Sequence, residues 1–285
     1  MGTTSKIIGA LATAIDKVSG TAISGLANIM GQIISLYSDS AYVGEFDGTD
    51  DYVDCGNDSS IRPTAALTYN SWVWRADWND NVDPQVIMGN FRAASGVKTR
   101  WKNKRIQGFA RVDGANRQVQ TGWNKFKSGK PYYRASGWHM ISMTWDGRYL
   151  KLYIDGALES EGGTSTVDLG SSGNVIDYST GNYDINIGTQ VGIGGSTCYD
   201  GRIDECAIWD VALDADAIAE LWDQDGGTVK PSNLNADKDN YDNSGDLNGW
   251  WRFEENTGTS IADSSGNGNT GTLTNGVTFN SDTPD

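Results

Sequence analysis

The chain has 285 residues, with 37 acidic against 22 basic side chains and a formal charge of −15. That balance repels phosphate backbones, so nucleic acid is excluded as an expected partner. A single histidine, and three cysteines with no Cys-x-x-Cys pair, argue against a zinc or iron centre.

The first 40 residues differ from the rest. Lys6-Ile-Ile-Gly9, Lys17-Val-Ser-Gly20 and Asn28-Ile-Met-Gly31 recur at intervals of 11 residues. Thr13, Ser24 and Ser35 align in the same frame, as do Ile15, Leu26 and Tyr37. Two readings stay open: an 11-residue helical repeat, or a short extended-and-turn unit with Gly at each turn. In either form one copy cannot bury its apolar stripe alone, so residues 1–40 are expected to anchor or oligomerise. Lys6 to Ala14 imitates a signal peptide, but its apolar core is short and broken by Gly9. Val18 to Ser38 carries Asn28, Gln32 and several Ser, too polar for a membrane span.

From Ala41 the pattern becomes short strands between Gly, Asn, Asp and Ser clusters, as in a sandwich or barrel. Tyr42–Phe46 and Asp51–Cys55 read as a hairpin. Asn70–Arg75 alternates, with Trp72 and Trp74 on one face. Gln85–Gly89 is a strand, followed by an exposed basic hairpin or loop containing Lys98, Arg100, Lys102, Lys104 and Arg105. Gly137–Trp145 alternates, and turns at Asp146-Gly147 and Asp155-Gly156 bracket Tyr149–Ile154. Further strands are expected at 185–193 and 202–209. Asp214 caps a helix to Trp222, with Ile218, Leu221 and Trp222 as its apolar stripe. Cys198 and Cys206 flank a predicted turn at Tyr199-Asp200-Gly201 and fall out of register there. These two and Cys55 are therefore expected as free thiols, which suits a reducing cytoplasm.

Phe46-Asp-Gly-Thr-Asp-Asp-Tyr-Val53, Gly137-Trp-His139, Trp145-Asp-Gly147, Leu152-Tyr-Ile-Asp-Gly156 and Gly201-Arg-Ile-Asp-Glu205, in this order and followed by a helix, resemble the laminin-G-like, concanavalin A-like jelly roll over residues 41–225. The resemblance implies a mostly β fold, a two-sheet antiparallel jelly-roll sandwich behind a repetitive arm, with one short helix. Gly249-Trp-Trp-Arg-Phe-Glu-Glu255 and Asp263–Asn269 resemble the motif that usually opens such a domain. Here they close the chain, so strands within 249–280 are expected beside the Tyr42–Cys55 hairpin, completing one domain over 41–285. The layout with its arm also resembles bacteriophage virion structural proteins of the tail-fibre, head-fibre or capsid-decoration type. That implies assembly in the host cytoplasm, display on the virion surface, contacts with other virion proteins through residues 1–40, and a homo-oligomer with a trimer favoured. A lectin-like module of a bacterial or secreted protein is the alternative.

Hydrolytic relatives of this fold carry paired carboxylates as Glu-x-Asp-x-x-Glu, which is absent here. Adjacent Asp204 and Glu205 should point to opposite faces of a regular strand, and Asp210 lies at its end. His139 lies within an alternating strand, so a packed or hydrogen-bonded histidine is expected, and no catalytic residue is assigned. The acidity reads as a solubilising surface or as Asp/Asn loops that hold calcium. Asp263, Ser265, Asn267 and Asn269 offer oxygens at alternate positions, like the first half of a calcium loop, although Thr274 stands where the bidentate Glu belongs. Asp47 or Asp50 is the expected completing ligand from a neighbouring strand. For host-surface glycans, a tryptophan beside amides stacks a sugar ring. Trp78 with Asn79, Trp101, and Trp123 are the candidates, while most of the tryptophans are expected in the core.

Overall fold

The computed structural model describes residues 41–78, 84–92, 95–123, 137–160, 162–181, 183–190, 197–222 and 233–284. The repeats of the arm lie outside the described residues. The chain separates into two units, Met1–Asp39 and Ser40–Asp285. Among the described residues, no helix is long and apolar enough to cross a membrane.

The strands in chain order are β1 (Val43–Asp47), β2 (Tyr52–Asp54), β3 (Leu67–Arg75), β4 (Gln85–Gly89), β5 (Val97–Lys102), β6 (Arg105–Val112), β7 (Ala115–Gln120), β8 (Gly137–Trp145) and β9 (Tyr149–Ile154). They continue as β10 (Ala157–Leu158), β11 (Thr166–Asp168), β12 (Asn186–Ile187), β13 (Asp200–Trp209), β14 (Leu247–Trp251), β15 (Ser260–Ile261), β16 (Gly271–Thr274) and β17 (Thr278–Asn280). The first sheet has the order β10-β9-β8-β3-β13-β1-β17, with β11 also on β9 and β14 also on β13. The second has the order β15-β16-β2-β12-β4-β5-β6-β7. All pairings are antiparallel. This is the two-sheet jelly-roll sandwich that the motifs implied.

Alternation decides what each strand buries. On β8, Ile141, Met143 and Trp145 enter the core between the sheets, while Trp138 and Met140 join a second cluster on the outer face of the first sheet. That outer face is closed by helix α1 (Ala215–Trp222) and by Leu234, Tyr241 and Leu247. The Asp214 carboxylate accepts the Ala217 amide at 2.8 Å, which caps the helix. Trp222 stacks on Trp72 with ring centroids 5.1 Å apart. Gly156, at φ +76°, leaves room for it, since a Cβ there would meet the Trp222 Cβ at 2.7 Å.

The chain's end completes both sheets. Strand β17 pairs with β1, β16 with β2, and β14 lies on β13 in line with β1; β1 and β2 lie in different sheets, so the hairpin expected over Tyr42–Cys55 does not form. Trp250, Trp251, Phe253 and Ile261 from this segment are buried. No hairpin forms at Tyr199-Asp200-Gly201, because β13 runs through it and is held between β1 and β3. Cys55, Cys198 and Cys206 are nonetheless free and buried, and burial raises all three thiols above the ordinary range. Of the strand expected at 185–193, only Asn186–Ile187 forms among the described residues.

Candidate glycan-binding face

Period-two alternation on β5 and β6 sends Val97, Trp101, Ile106 and Ala110 into the core. It therefore sends Lys98, Arg100, Lys102, Arg105, Gln107, Phe109 and Arg111 to the opposite, outer face of the second sheet. The register arranges these side chains in rows. One row runs Gly89, Lys98, Phe109, Gln118, and the next Val86, Arg100, Gln107, Gln120. Lys102 pairs with Arg105 in a third.

Hydrogen bonds fix the rows. The Arg100 Nε donates to Gln107 Oε1 at 2.8 Å, Gln107 Nε2 to Gln120 Oε1 at 3.1 Å, and Gln118 Nε2 to Gln120 Oε1 at 2.9 Å. The Lys98 ammonium donates to Gln190 Oε1 at 2.5 Å and lies 4.9 Å from the centre of the Phe91 ring. The Arg100 guanidinium covers Phe109 at 4.4 Å. The face is recessed: Lys98 and Gln107 point away from the core yet keep 6% and 8% exposure. The basic hairpin therefore forms as expected, but Lys98 is not on its exposed surface. Burial, followed by the nearby charges of Arg100 and Lys102, draws the Lys98 ammonium down to about 7.

The predicted glycan residues fall in different places. Trp78 and Trp101 are core residues, packed edge to face with each other. The Trp78 indole N–H donates to the Gly137 carbonyl at 3.1 Å, and Trp101 lies in the inward row of β5. Neither can stack a ligand. Asn79 lies outside the described residues. Trp123 is 58% exposed, beyond the end of β7, with the Arg105 guanidinium 4.4 Å over its ring. It thus borders the amide rows. No local pattern marks Gln107, Gln118 and Gln120 as site residues, because only the pairing of β5, β6 and β7 brings them together.

The predicted calcium ligands also separate. Both Asp263 oxygens are taken by donors of their own loop and strand: Oδ1 accepts the Trp250 and Ser265 amides at 3.0 Å, and Oδ2 the Asn269 amide at 2.9 Å. Ser265 Oγ donates to Oδ1 as well. The Asn267 and Asn269 side-chain amides donate to Asn248 O. This is a self-satisfied Asx turn. Asn267 and Asn269 line a shallow cleft of about 420 Å³ with Asp54, Asn57 and Asp58, but Asp263 does not. Asp47 cannot complete that loop. It pairs with Asp200 on β13, whereas Trp250, which holds Asp263, pairs with Ala207, about 20 Å further along the strand. Asp47 instead meets Asp50 and Asp51, with carboxylate oxygens within 4.8 Å of one another. Desolvation raises the Asp51 carboxyl, and Asp47 and Asp50 add to this, as like charges around a small space must. Three hard oxygen donors at that spacing fit calcium.

The carboxylates considered for hydrolysis are structural. A bulge in β13 between Asp204 and Ala207, with Glu205 at φ +47°, breaks the alternation that should have placed them on opposite faces. Both are fully buried. Glu205 accepts the Trp250 indole N–H and pairs with Arg252 at 3.1 Å. His139 Nδ1 lies 2.8 Å from Asp155 Oδ2, and its ring packs edge to face on Trp78.

The family profile of the concanavalin A-like lectin/glucanases superfamily matches residues 47–219. The chain belongs to that superfamily. Among solved structures, a candidate carbohydrate-binding protein from Bacteroides ovatus superposes with a TM-score of 0.58 at 16% identity, covering 87% of this chain and 62% of that one. This chain thus spans less than two thirds of that protein's length. A pentraxin from Limulus polyphemus gives a TM-score of 0.45 at 14% identity, over 66% of this chain and 84% of that one. Domains LG4-5 of mouse laminin α1 give 0.42 at 10% identity, over 61% and 44%. No curated protein sequence matches the chain.

Proposed function

We propose that this superfamily member is a non-enzymatic, lectin-type glycan-binding module displayed by a bacteriophage virion structural protein. The observation that carries the binding reading is the outer face of the second sheet. There Gln107, Gln118 and Gln120 form a hydrogen-bonded amide cluster across two neighbouring rows, near an exposed tryptophan, Trp123. Amides satisfy sugar hydroxyls and the indole stacks a pyranose ring, the combination that polar ligand sites use. The fold shared with a candidate carbohydrate-binding protein supports the same reading. A non-catalytic role is supported by Asp204 and Glu205, which lie away from this face and are buried.

The virion assignment rests on the resemblance of the layout and on the three-copy arm. In this reading residues 1–40 attach the module to other virion proteins or join three copies of it. Binding of the full chain to an array of host-surface glycans tests the module. Binding is expected, and is lost when Gln107→Ala and Gln120→Ala are combined. Silence across a broad array sinks the glycan reading. The native mass of the full chain tests the arm: a trimer is expected, and a monomer rules out self-association.

A further inference from the structure

The net charge of −15 conceals a strong segregation. Residues 85–145 carry 12 Lys and Arg against one acid, Asp113, a local charge of +11. The remaining residues carry 10 against 36, a charge of −26. Lys98, Arg100, Lys102, Arg105, Arg111 and Arg117 of this stretch lie on β5 to β7, so among the described residues its cations gather on one half of the second sheet.

At the centre of that half, Lys98 and Arg100 occupy neighbouring rows of the recessed outer face. Among the described residues neither has a carboxylate partner; their polar partners are the side-chain amides of Gln190 and Gln107. Burying a charge without a counter-charge costs stability, and a bound anion relieves that cost. The cations lie against two aromatic rings, Phe91 and Phe109, whose faces they cover. Gly89 borders Lys98 in its row and adds no side chain above it; a Cβ there would meet the Lys98 Cα at 2.5 Å.

We infer that this face takes an acidic glycan, with a carboxylate or sulfate group seated on Lys98 and Arg100 and the sugar hydroxyls on the adjoining amides. The inference rests on the glycan-binding reading and narrows its ligand. A nucleic acid fits less well. Its bases need open aromatic faces for stacking, and those of Phe91 and Phe109 are already covered.

The charges near Lys98 set the pH response. Arg100 and Lys102 share its strand, Arg105 and Arg111 share its face on β6, and Arg92 follows β4. Gln190 and Asn90, the other polar neighbours, do not titrate. Lys98, drawn down to about 7 by burial and by the charges of Arg100 and Lys102, changes charge around neutral pH. An anion binds the protonated form, so affinity falls as pH rises, by roughly tenfold between pH 6 and pH 8.

The test is titration calorimetry on the full chain with four probes: oligogalacturonate, sulfated dextran, neutral dextran, and a single-stranded DNA oligonucleotide of matched charge. Oligogalacturonate or sulfated dextran is expected to bind at least about tenfold tighter than neutral dextran, and the stronger of the two identifies the acidic group. Lys98→Met should abolish that preference. Lys98→Arg should keep it and remove the pH dependence, because Arg stays charged. Equal binding of neutral and acidic glycans, lost with Gln107→Ala and Gln120→Ala, overturns the acidic assignment and leaves the glycan reading standing. DNA binding as tight as that of the acidic glycans overturns the assignment in favour of a general polyanion surface. Silence from all four probes overturns both.

Discussion

The pair Glu205–Arg252 offers a direct test of how the chain's end closes the sandwich. Glu205 occupies the bulge of β13 and is fully buried, whereas the Arg252 side chain keeps 15% exposure just beyond β14. Glu205→Gln preserves shape but removes the charge that faces the guanidinium. Breaking a buried pair from one side costs about 3–5 kcal/mol, and the partial exposure of Arg252 favours the lower figure, about 3 kcal/mol. For a domain of this size that corresponds to a fall of about 6–12 °C in Tm. Arg252→Met should cost at least as much, since it strands a carboxylate with no exposure. The double variant should be less destabilised than the two losses added together, because neither charge is then left behind. Urea melts of all four proteins give the coupling energy. Additivity within about 0.5 kcal/mol, or a loss below about 1 kcal/mol for Glu205→Gln, would refute the clamp and the argument built on burial.

Deleting residues from Gly249 onward strips partners from β1, β2 and β13 and exposes their core contacts, so the truncated chain should not melt cooperatively; an unchanged circular-dichroism melt refutes the closure. Calcium should raise the Tm of the full chain, and Asp47→Asn with Asp50→Asn should remove that shift; no heat on titration with calcium chloride counts against the site. Trp123→Ala should weaken glycan binding about tenfold while leaving Tm nearly unchanged, because the side chain is 58% exposed; equal affinities would remove Trp123 from the site. Lys98→Met should stabilise the protein. Between pH 7 and 10.5 the unfolded chain binds a proton at Lys98 that the folded chain does not, so the penalty from this residue grows as pH falls and is complete below about 7. The gain in urea midpoint should therefore be largest at pH 6–7 and shrink toward pH 10; a gain independent of pH would refute it.

The elements that could be read from the sequence were those whose cause is local. Gly137–Trp145 forms the strand that its alternation predicts, with Ile141, Met143 and Trp145 entering the core, and Gln85–Gly89 and Tyr149–Ile154 form the strands expected there. Asp214 caps α1 as its position before an apolar stripe demands. Failures came where a distant strand decides. Gly201 looks like a turn residue, yet β1 pairs with Asp200 and Gly201 and β3 takes up the strand from Arg202, which holds the stretch extended. The bulge that places Asp204 and Glu205 together is fixed by the register with β3, which no local pattern carries. Trp78, Trp101 and Trp123 all sit beside polar residues, but only the packing of β5 against the core separates two buried rings from the exposed one.

Charge shows the same division between chain and fold. A total of −15 argued against nucleic acid, but a total is a sum over the chain and a ligand feels only the strands around it. Charges separated by more than about 8–10 Å of solvent are screened at physiological salt. Acids beyond that distance therefore act weakly on a recessed face whose neighbours are Lys98, Arg100, Lys102, Arg105 and Arg111. The same face can be locally cationic, costly to fold, and selective for acidic ligands, all within an acidic protein. Raising the salt distinguishes this from steering by the whole surface. A seated acidic group should keep most of its preference for the wild type over Lys98→Met at 0.5 M NaCl, whereas diffuse attraction should lose it.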